Sequence, residues 1–356
     1  MKKLIAISVL FALLAVGAFA EVGVSGTFRA HWNLVNTNPT NDTTSDGGVD
    51  ESWLQLTAEN DEGTIGAQMR FHPTWAGLTD HWAWWKPIPQ LTVGLGGIYK
   101  WGYDGLVGWG FHEGGADYGH MEGYSFGAGN AGDFGGGFNF YLSLNPIDGL
   151  EIDLGIPIPG AWWEKDDNDD GDIDYTDSNE YGPGTEIADA FKVIYVQGSY
   201  DIGGIGKATL VFKSSAADGE IGTFGLGFNL TAIENVPVIL LVKFDLKEDS
   251  DLNTVGVSIG AGFSSGDFGV RFRAASTFVK DGDFNLHAQI MPFYNLGIFT
   301  AYLNLGLQVG KDYTRFYLNP YIIKSIGAGK VALGIQLDIA EGTTKFALPL
   351  TISYSF

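Results

Sequence analysis

Apolar and polar residues alternate along much of this chain with a period of two. From Val22 to Leu34 the even positions are Val22, Val24, Gly26, Phe28, Ala30, Trp32 and Leu34. The odd positions between them are Gly23, Ser25, Thr27, Arg29, His31 and Asn33. Successive side chains of a strand point to opposite faces, so this segment carries one apolar and one polar face. The second half repeats the pattern. Phe299, Ala301, Leu303, Leu305, Leu307 and Val309 alternate with Thr300, Tyr302, Asn304, Gly306 and Gln308. Val331, Leu333, Ile335, Leu337 and Ile339 alternate with Ala332, Gly334, Gln336 and Asp338. Phe346, Leu348, Leu350, Ile352, Tyr354 and Phe356 alternate with Ala347, Pro349, Thr351, Ser353 and Ser355. These runs exceed the mean soluble strand of about 5–6 residues and match the roughly 9–11 needed to cross lipid.

Read in order, the pattern predicts strands at 22–35, 50–59, 64–73, 82–87, 91–101, 136–145, 149–158, 190–200, 206–215, 221–231, 237–247, 253–263, 267–279, 284–294, 298–309, 315–324, 330–340 and 345–356. The count is eighteen, or sixteen if the short fourth segment is discounted. The expected fold is all-β, a single antiparallel transmembrane barrel of 16–18 strands. An even number puts both termini on the periplasmic side. Tight turns are expected at Asn60 to Gly63, Pro146 to Gly149 and Ser264 to Asp267, and long outer loops at 36–49, 102–135 and 159–189. Short inner turns with long outer loops are the asymmetry of outer-membrane barrels. Trp84, Trp85, Trp101, Tyr200, Tyr294 and Tyr354 stand near strand ends, where aromatic girdles form.

The N-terminus sets the compartment. Lys2 and Lys3 precede an apolar stretch from Leu4 to Gly17, and Ala18-Phe19-Ala20 supplies the small residues of a cleavage site. Residues 1–20 therefore read as a cleaved signal peptide and 21–356 as the barrel, located in the outer membrane. A barrel that starts almost at Glu21 leaves no room for an N-terminal plug. Glycine makes up 52 of 356 residues, about twice its usual share, and aromatics 14%. Small inward residues leave space for water. The chain holds no cysteine, which excludes a lipidated cysteine, disulfides and thiolate metal sites. Without the leader, 18 basic residues face 42 acidic ones, a net charge of −24 that argues against a nucleic-acid partner.

The dyad strands, the leader and a final strand ending on Tyr354 and Phe356, after Leu350 and Ile352, resemble the outer-membrane porins and their relatives. The segment from Trp84 to Gly97 is also similar to the outer-membrane barrels that spirochaetes keep as paralogues. The resemblance implies that Tyr354 and Phe356 are the address read by the barrel-assembly machinery. It further implies a channel for passive diffusion of small hydrophilic solutes, surrounded by outer-membrane lipid and compatible with a homo-oligomer. The alternative is a surface adhesin or antigen whose acidic loops bind ligands or host components over a blocked lumen.

Four groups of residues carry candidate chemistry. Arg29, Arg70, Lys213, Lys243, Arg271 and Arg273, with Glu151, Asp153, Asp245 and Asp338, fall at inward positions where charge sets pore selectivity. The loop 102–135 holds twelve glycines with Trp109, Phe111, Tyr118, Tyr124 and Phe126 among them, and the resemblance makes it a constriction loop folded into the lumen. His112, Glu113, Asp117, His120 and Glu122 in the same loop match no defined metal spacing. Asp166, Asn168, Asp170, Asp172, Asp174 and Asp177, with Gly171 at the turn and Ile173 after it, reproduce the spacing of a calcium loop, with Asp in place of the usual final Glu. No cofactor is expected to be required, and Ca²⁺ at this loop is the one candidate ligand. His31, His72 and His287 stand singly without a serine in register, so no enzymatic activity is expected.

Overall fold

The computed structural model describes residues 20–37, 43–72, 77–97, 138–157, 194–215, 219–236, 238–247, 252–279, 282 and 284–356. The signal-peptide, constriction-loop and calcium-loop segments lie outside these residues, as does Trp101. The first strands are β1 (Ala20–Thr37), β2 (Thr43–Asn60), β3 (Ile65–His72), β4 (Gly77–Ile88), β5 (Leu91–Gly97) and β6 (Phe138–Leu144). They are followed by β7 (Leu150–Pro157), β8 (Tyr195–Asp201), β9 (Gly206–Ser214), β10 (Glu220–Leu230), β11 (Val238–Lys247) and β12 (Leu252–Ser265). Then come β13 (Phe268–Val279), β14 (Phe284–Asn295), β15 (Thr300–Gly310) and β16 (Tyr313–Ile326). The last are β17 (Gly329–Gly334), β18 (Gln336–Ala340) and β19 (Thr343–Ser355). β17 and β18 are two halves of one span, so the wall has eighteen spans, and the sixteen-strand alternative falls.

Each span pairs antiparallel with its sequence neighbours, and β1 pairs with β19 from Thr27↔Ser355 to Thr37↔Phe346. The sheet is therefore a closed barrel without a free edge. The backbone seals the seam where Gly26 N donates to Phe356 O at 2.8 Å and Phe356 N to Gly26 O at 3.0 Å. One end of the barrel carries Ala20, the last strand's Ser355 and short turns at 61–64, 89–90, 266–267 and 327–328, while two-residue turns at 311–312 and 341–342 lie at the other end. That other end also carries the connections that contain 98–137 and 158–193. The two ends are called the turn end and the loop end below.

Alternation sorts the side chains as the pattern demands. Val24, Phe28, Trp32, Ile65, Leu210, Ile259, Ile290, Leu303 and Ile352 are exposed on the outside, while Asp153, Ser258, Arg273, Gln289, Asn304 and Thr351 are buried on the inside.

Three expectations change. The segment 36–49 is mostly not a loop. β1 runs to Thr37 and β2 starts at Thr43. The polar residues there pair with one another across the two strands, with Ser45 and Asp46 remaining exposed. Asn33 Nδ2 donates to Asp46 Oδ1 at 2.5 Å, Asn36 Nδ2 to Asp46 Oδ2 at 2.7 Å and Trp32 Nε1 to Ser45 Oγ at 2.8 Å. The short fourth segment is a full strand of twelve residues. Trp84 is no girdle residue: it lies 8% exposed on the inside, whereas Trp85 beside it is 54% exposed outside. Neighbours on a strand cannot share a face.

Candidate functional site: the inner wall

The inner face of β13 to β18 carries a continuous set of polar contacts. Arg273 Nε donates to Gln289 Oε1, and Gln289 Nε2 donates to Asn304 Oδ1 at 2.5 Å. Asn304 faces Asn319 on the next strand. Towards the loop end, His287 meets Tyr317 edge-to-face, with Nε2 and Oη 3.5 Å apart. Arg315 grips Asp338 with two parallel bonds, Nε to Oδ1 at 2.7 Å and a second from Nη2 to Oδ2. Such a fork is the strong form of a charge-assisted pair. Long side chains can lie along this wall because glycines make room for them. A Cβ on Gly306 would stand 1.6 Å from Tyr317 Cζ.

Towards the turn end the same wall becomes aromatic and apolar. Tyr302 and Tyr321 stack with centroids 4.8 Å apart and planes 3° apart, and Phe293 lies 5.5 Å from Tyr302. Met291, Tyr321, Ile323 and Ala332 form one buried cluster beside Tyr302. The Tyr321 hydroxyl donates to Met291 Sδ at 3.3 Å. Arg271 lies over the Phe293 ring at 5.4 Å.

A second aromatic group lines β2 to β7. Arg70 lies over Trp53 at 4.7 Å and donates to Gln55 Oε1 through Nε and Nη2 at 3.0 and 2.7 Å. Trp82 contacts Trp84 at 4.7 Å and Tyr141 at 6.0 Å, and Tyr141 Oη donates to Asp153 Oδ1 at 2.6 Å. At the loop end, a cleft of about 350 Å³ is lined by Lys213, Glu220, Thr223, Asp245 and Lys247, with Thr223 Oγ1 donating to Asp245 Oδ1 at 2.8 Å.

These contacts place the charged residues singled out by spacing. Arg70, Asp153, Lys213, Asp245, Arg271, Arg273 and Asp338 stand on the inner wall. Arg29 and Glu151 share its rows, opposite Ser353 and Ser199. Lys243 occupies the register position between Gly225 and Gly256. The structure does not gather them into one ring. Arg29 and Arg70 flank β2, Glu151 and Asp153 share β7, and Arg271 and Arg273 share β13. Sequence reasoning missed Arg315, the partner of Asp338, and the inward tyrosines Tyr141, Tyr195, Tyr302, Tyr317 and Tyr321. Their signal was present, since Tyr313, Arg315, Tyr317, Asn319 and Tyr321 occupy one parity of β16.

No protein-family model and no curated protein matches this chain. Solved structures do. OccAB4 of Acinetobacter baumannii aligns with TM-score 0.52 and 9% identity over 94% of this chain and 98% of that one. A loop L8 deletion mutant of OmpT, an outer membrane protein of Vibrio cholerae, aligns at 0.50 and 11% over 95% and 99%. A structure described under asymmetric conductivity of engineered proteins aligns at 0.51 and 12% over 94% and 100%. The shared property is the fold: this chain is folded as a closed, porin-like β-barrel.

Proposed function

We propose that this protein is an outer-membrane channel for passive diffusion of small hydrophilic solutes, with both termini on the periplasmic side. One observation carries the reading: a closed barrel exposes large apolar side chains outward around its circumference while its inner wall is built from Arg, Asp, Asn, Gln, Ser, Thr and Tyr. In water such an outer surface would be a large continuous apolar patch, whereas in lipid it is the ordinary solution. The aromatic belts fit a bilayer. Trp85, Tyr200, Tyr294 and Tyr354 stand outward near the turn end, and Trp32, Phe278, Phe284 and Phe316 near the loop end. On β14, the ten steps from Phe284 to Tyr294 at about 3.4 Å each and a tilt of about 40° span about 25 Å, the height of an outer-membrane apolar band.

Outer-membrane barrels of this strand number leave an aqueous passage along their axis. The conductivity named for one of the aligned structures supports the same reading. The barrel-assembly machinery, reading Tyr354 and Phe356, and outer-membrane lipid are the implied partners. The experiment is a planar-bilayer recording of the purified, refolded chain. Stepwise ohmic conductance is expected, and a folded barrel that inserts without conducting would refute the channel.

A further inference from the structure

We infer that the aromatic patch on β14 to β17 is a gate at the turn-end mouth, hinged on a row of interrupted backbone hydrogen bonds; this rests on the channel reading. The ladder between β14 and β15 is continuous on either side of Pro292 but skips from Ile290↔Leu305 to Phe293↔Tyr302. Leu303, the residue across the gap, pairs with Pro320 on the next strand. Pro320 in turn faces Ile335, which donates to its carbonyl at 2.8 Å. In an antiparallel hydrogen-bonded pair both residues donate, and proline has no N–H to return. The span breaks there into β17 and β18, at Ile335. One strand further, the pairing of this span with β19 skips from Leu333↔Leu350 to Gln336↔Ala347, beside Pro349. Pro349 faces Asn33, where the β1 register shifts before Asn36.

Three prolines, a split strand and a bulge thus follow one row across the wall from β14 to β1. Elsewhere a ladder runs unbroken, as in β12–β13 from Thr254↔Val279 to Ser265↔Phe268, or shifts at single points, as in β4–β5 between Trp85 and Ile88. A sheet resists bending through its cross-strand bonds, so it bends where they are missing. The inner wall changes character at the same row. Phe293, Tyr302, Tyr321, Ile323 and Ala332 lie on the turn-end side, and Gln289, Asn304, Asn319 and Asp338 on the loop-end side. A hinge there moves the aromatic patch as one leaf against a polar wall that stays put. An apolar leaf swung into a narrow water-filled passage closes it by expelling water, without needing a tight steric seal. The Tyr302–Tyr321 stack holds the leaf together, and the Tyr321 bond to Met291 crosses the row and latches the leaf against the wall in the open position.

Single-channel recording and amide hydrogen exchange test the gate. Pro292→Val with Pro320→Val returns the missing donors to the row. Protection of amides around Leu303 and Ile335 should rise about tenfold, the worth of a backbone hydrogen bond, and spontaneous closures should become several-fold rarer. Tyr302→Ala with Tyr321→Ala removes the leaf and should abolish those closures without changing exchange along β12–β13. In the parent chain, amides along the row should exchange faster than those of β12–β13. Equal exchange along the two would overturn the hinge, even if the proline variant failed to fold. Conducting variants that close as often as the parent would overturn the gate. A parent barrel that never conducts would instead refute the channel reading, and the gate with it.

Discussion

Asp338 is 4% exposed and takes both arms of the Arg315 fork, and the Arg315 side chain is itself only 19% exposed, so solvent screens the pair little. Removing one partner leaves a charge in a place built for two. Asp338→Ala should therefore destabilise the barrel by about 3 kcal/mol in a denaturant titration in detergent. Arg315→Met with Asp338→Leu should cost much less, and equal losses would mean that the pair is surface-like. The arginines of β13 differ in accessibility. Arg273 is 2% exposed and bound to Gln289, while Arg271 is half-buried over Phe293. Arg271→Glu alone should then carry most of a shift in reversal potential towards cations, with Arg273→Glu adding little. The shift should shrink in concentrated salt, since the Debye length falls from about 10 Å at 0.1 M to about 3 Å at 1 M. A reversal potential unmoved by either change would make both arginines lining only.

At the scale of elements, the seam between β1 and β19 joins residues more than 300 positions apart and depends on a small residue. The Phe356 ring lies over Gly26, where an added Cβ would come within 2.6 Å of Cζ. Phe356 thus has a place in the finished barrel besides its expected part as an assembly address. Deleting Phe356 should lower outer-membrane levels without changing export. Gly26→Leu should weaken the folded barrel through the same contact, and normal levels of both variants would remove the terminal phenylalanine from assembly. The acidic segment from Asp166 to Asp177 lies outside the described residues and keeps its reading as a weak calcium loop. Eleven acids from Glu164 to Asp189 stand against one Lys165, so cation binding would relieve self-repulsion. With a short Asp at the last position, affinity is expected on the order of 10⁻⁴–10⁻³ M, as in extracellular modules. Calorimetry on the refolded barrel should show a heat that Asp166→Ala and Asp170→Ala abolish. A heat that survives both substitutions would leave only a solvated acidic loop.

For the whole molecule, closure has a direct signature. A cylinder in which every strand is paired on both sides has no edge from which detergent can unzip it. Unboiled protein should therefore migrate differently from boiled protein on a detergent gel, and identical mobility would argue against a closed barrel. The asymmetry of the ends orients function as well. In the proposed orientation, with the termini at the periplasmic end, the aromatic patch of β14 to β17 would face the periplasmic side and the charged cleft of Lys213 and Asp245 the outer side.

By itself the sequence determined which residues share a face, because period two is local to each strand. That is why the outward belt, the inward charges and the number of spans were legible from Val22 onward. It also set the turns: Asn60 Oδ1 accepts from the backbone of Thr64 and Ile65 within five residues. What only the tertiary structure decided is which inward residues meet. Arg315 and Asp338 are 23 positions apart, Tyr302 and Tyr321 nineteen, and their contact depends on cross-strand register. Register is fixed by turn lengths, bulges and the final closure of β1 on β19, none of which any single dyad encodes. The same distinction separates Trp84 from Trp85. Alternation puts them on opposite faces, and only the closed wall, with Gly66 opposite Trp84 and Ile65 opposite Trp85, shows which of the two faces is the inner one.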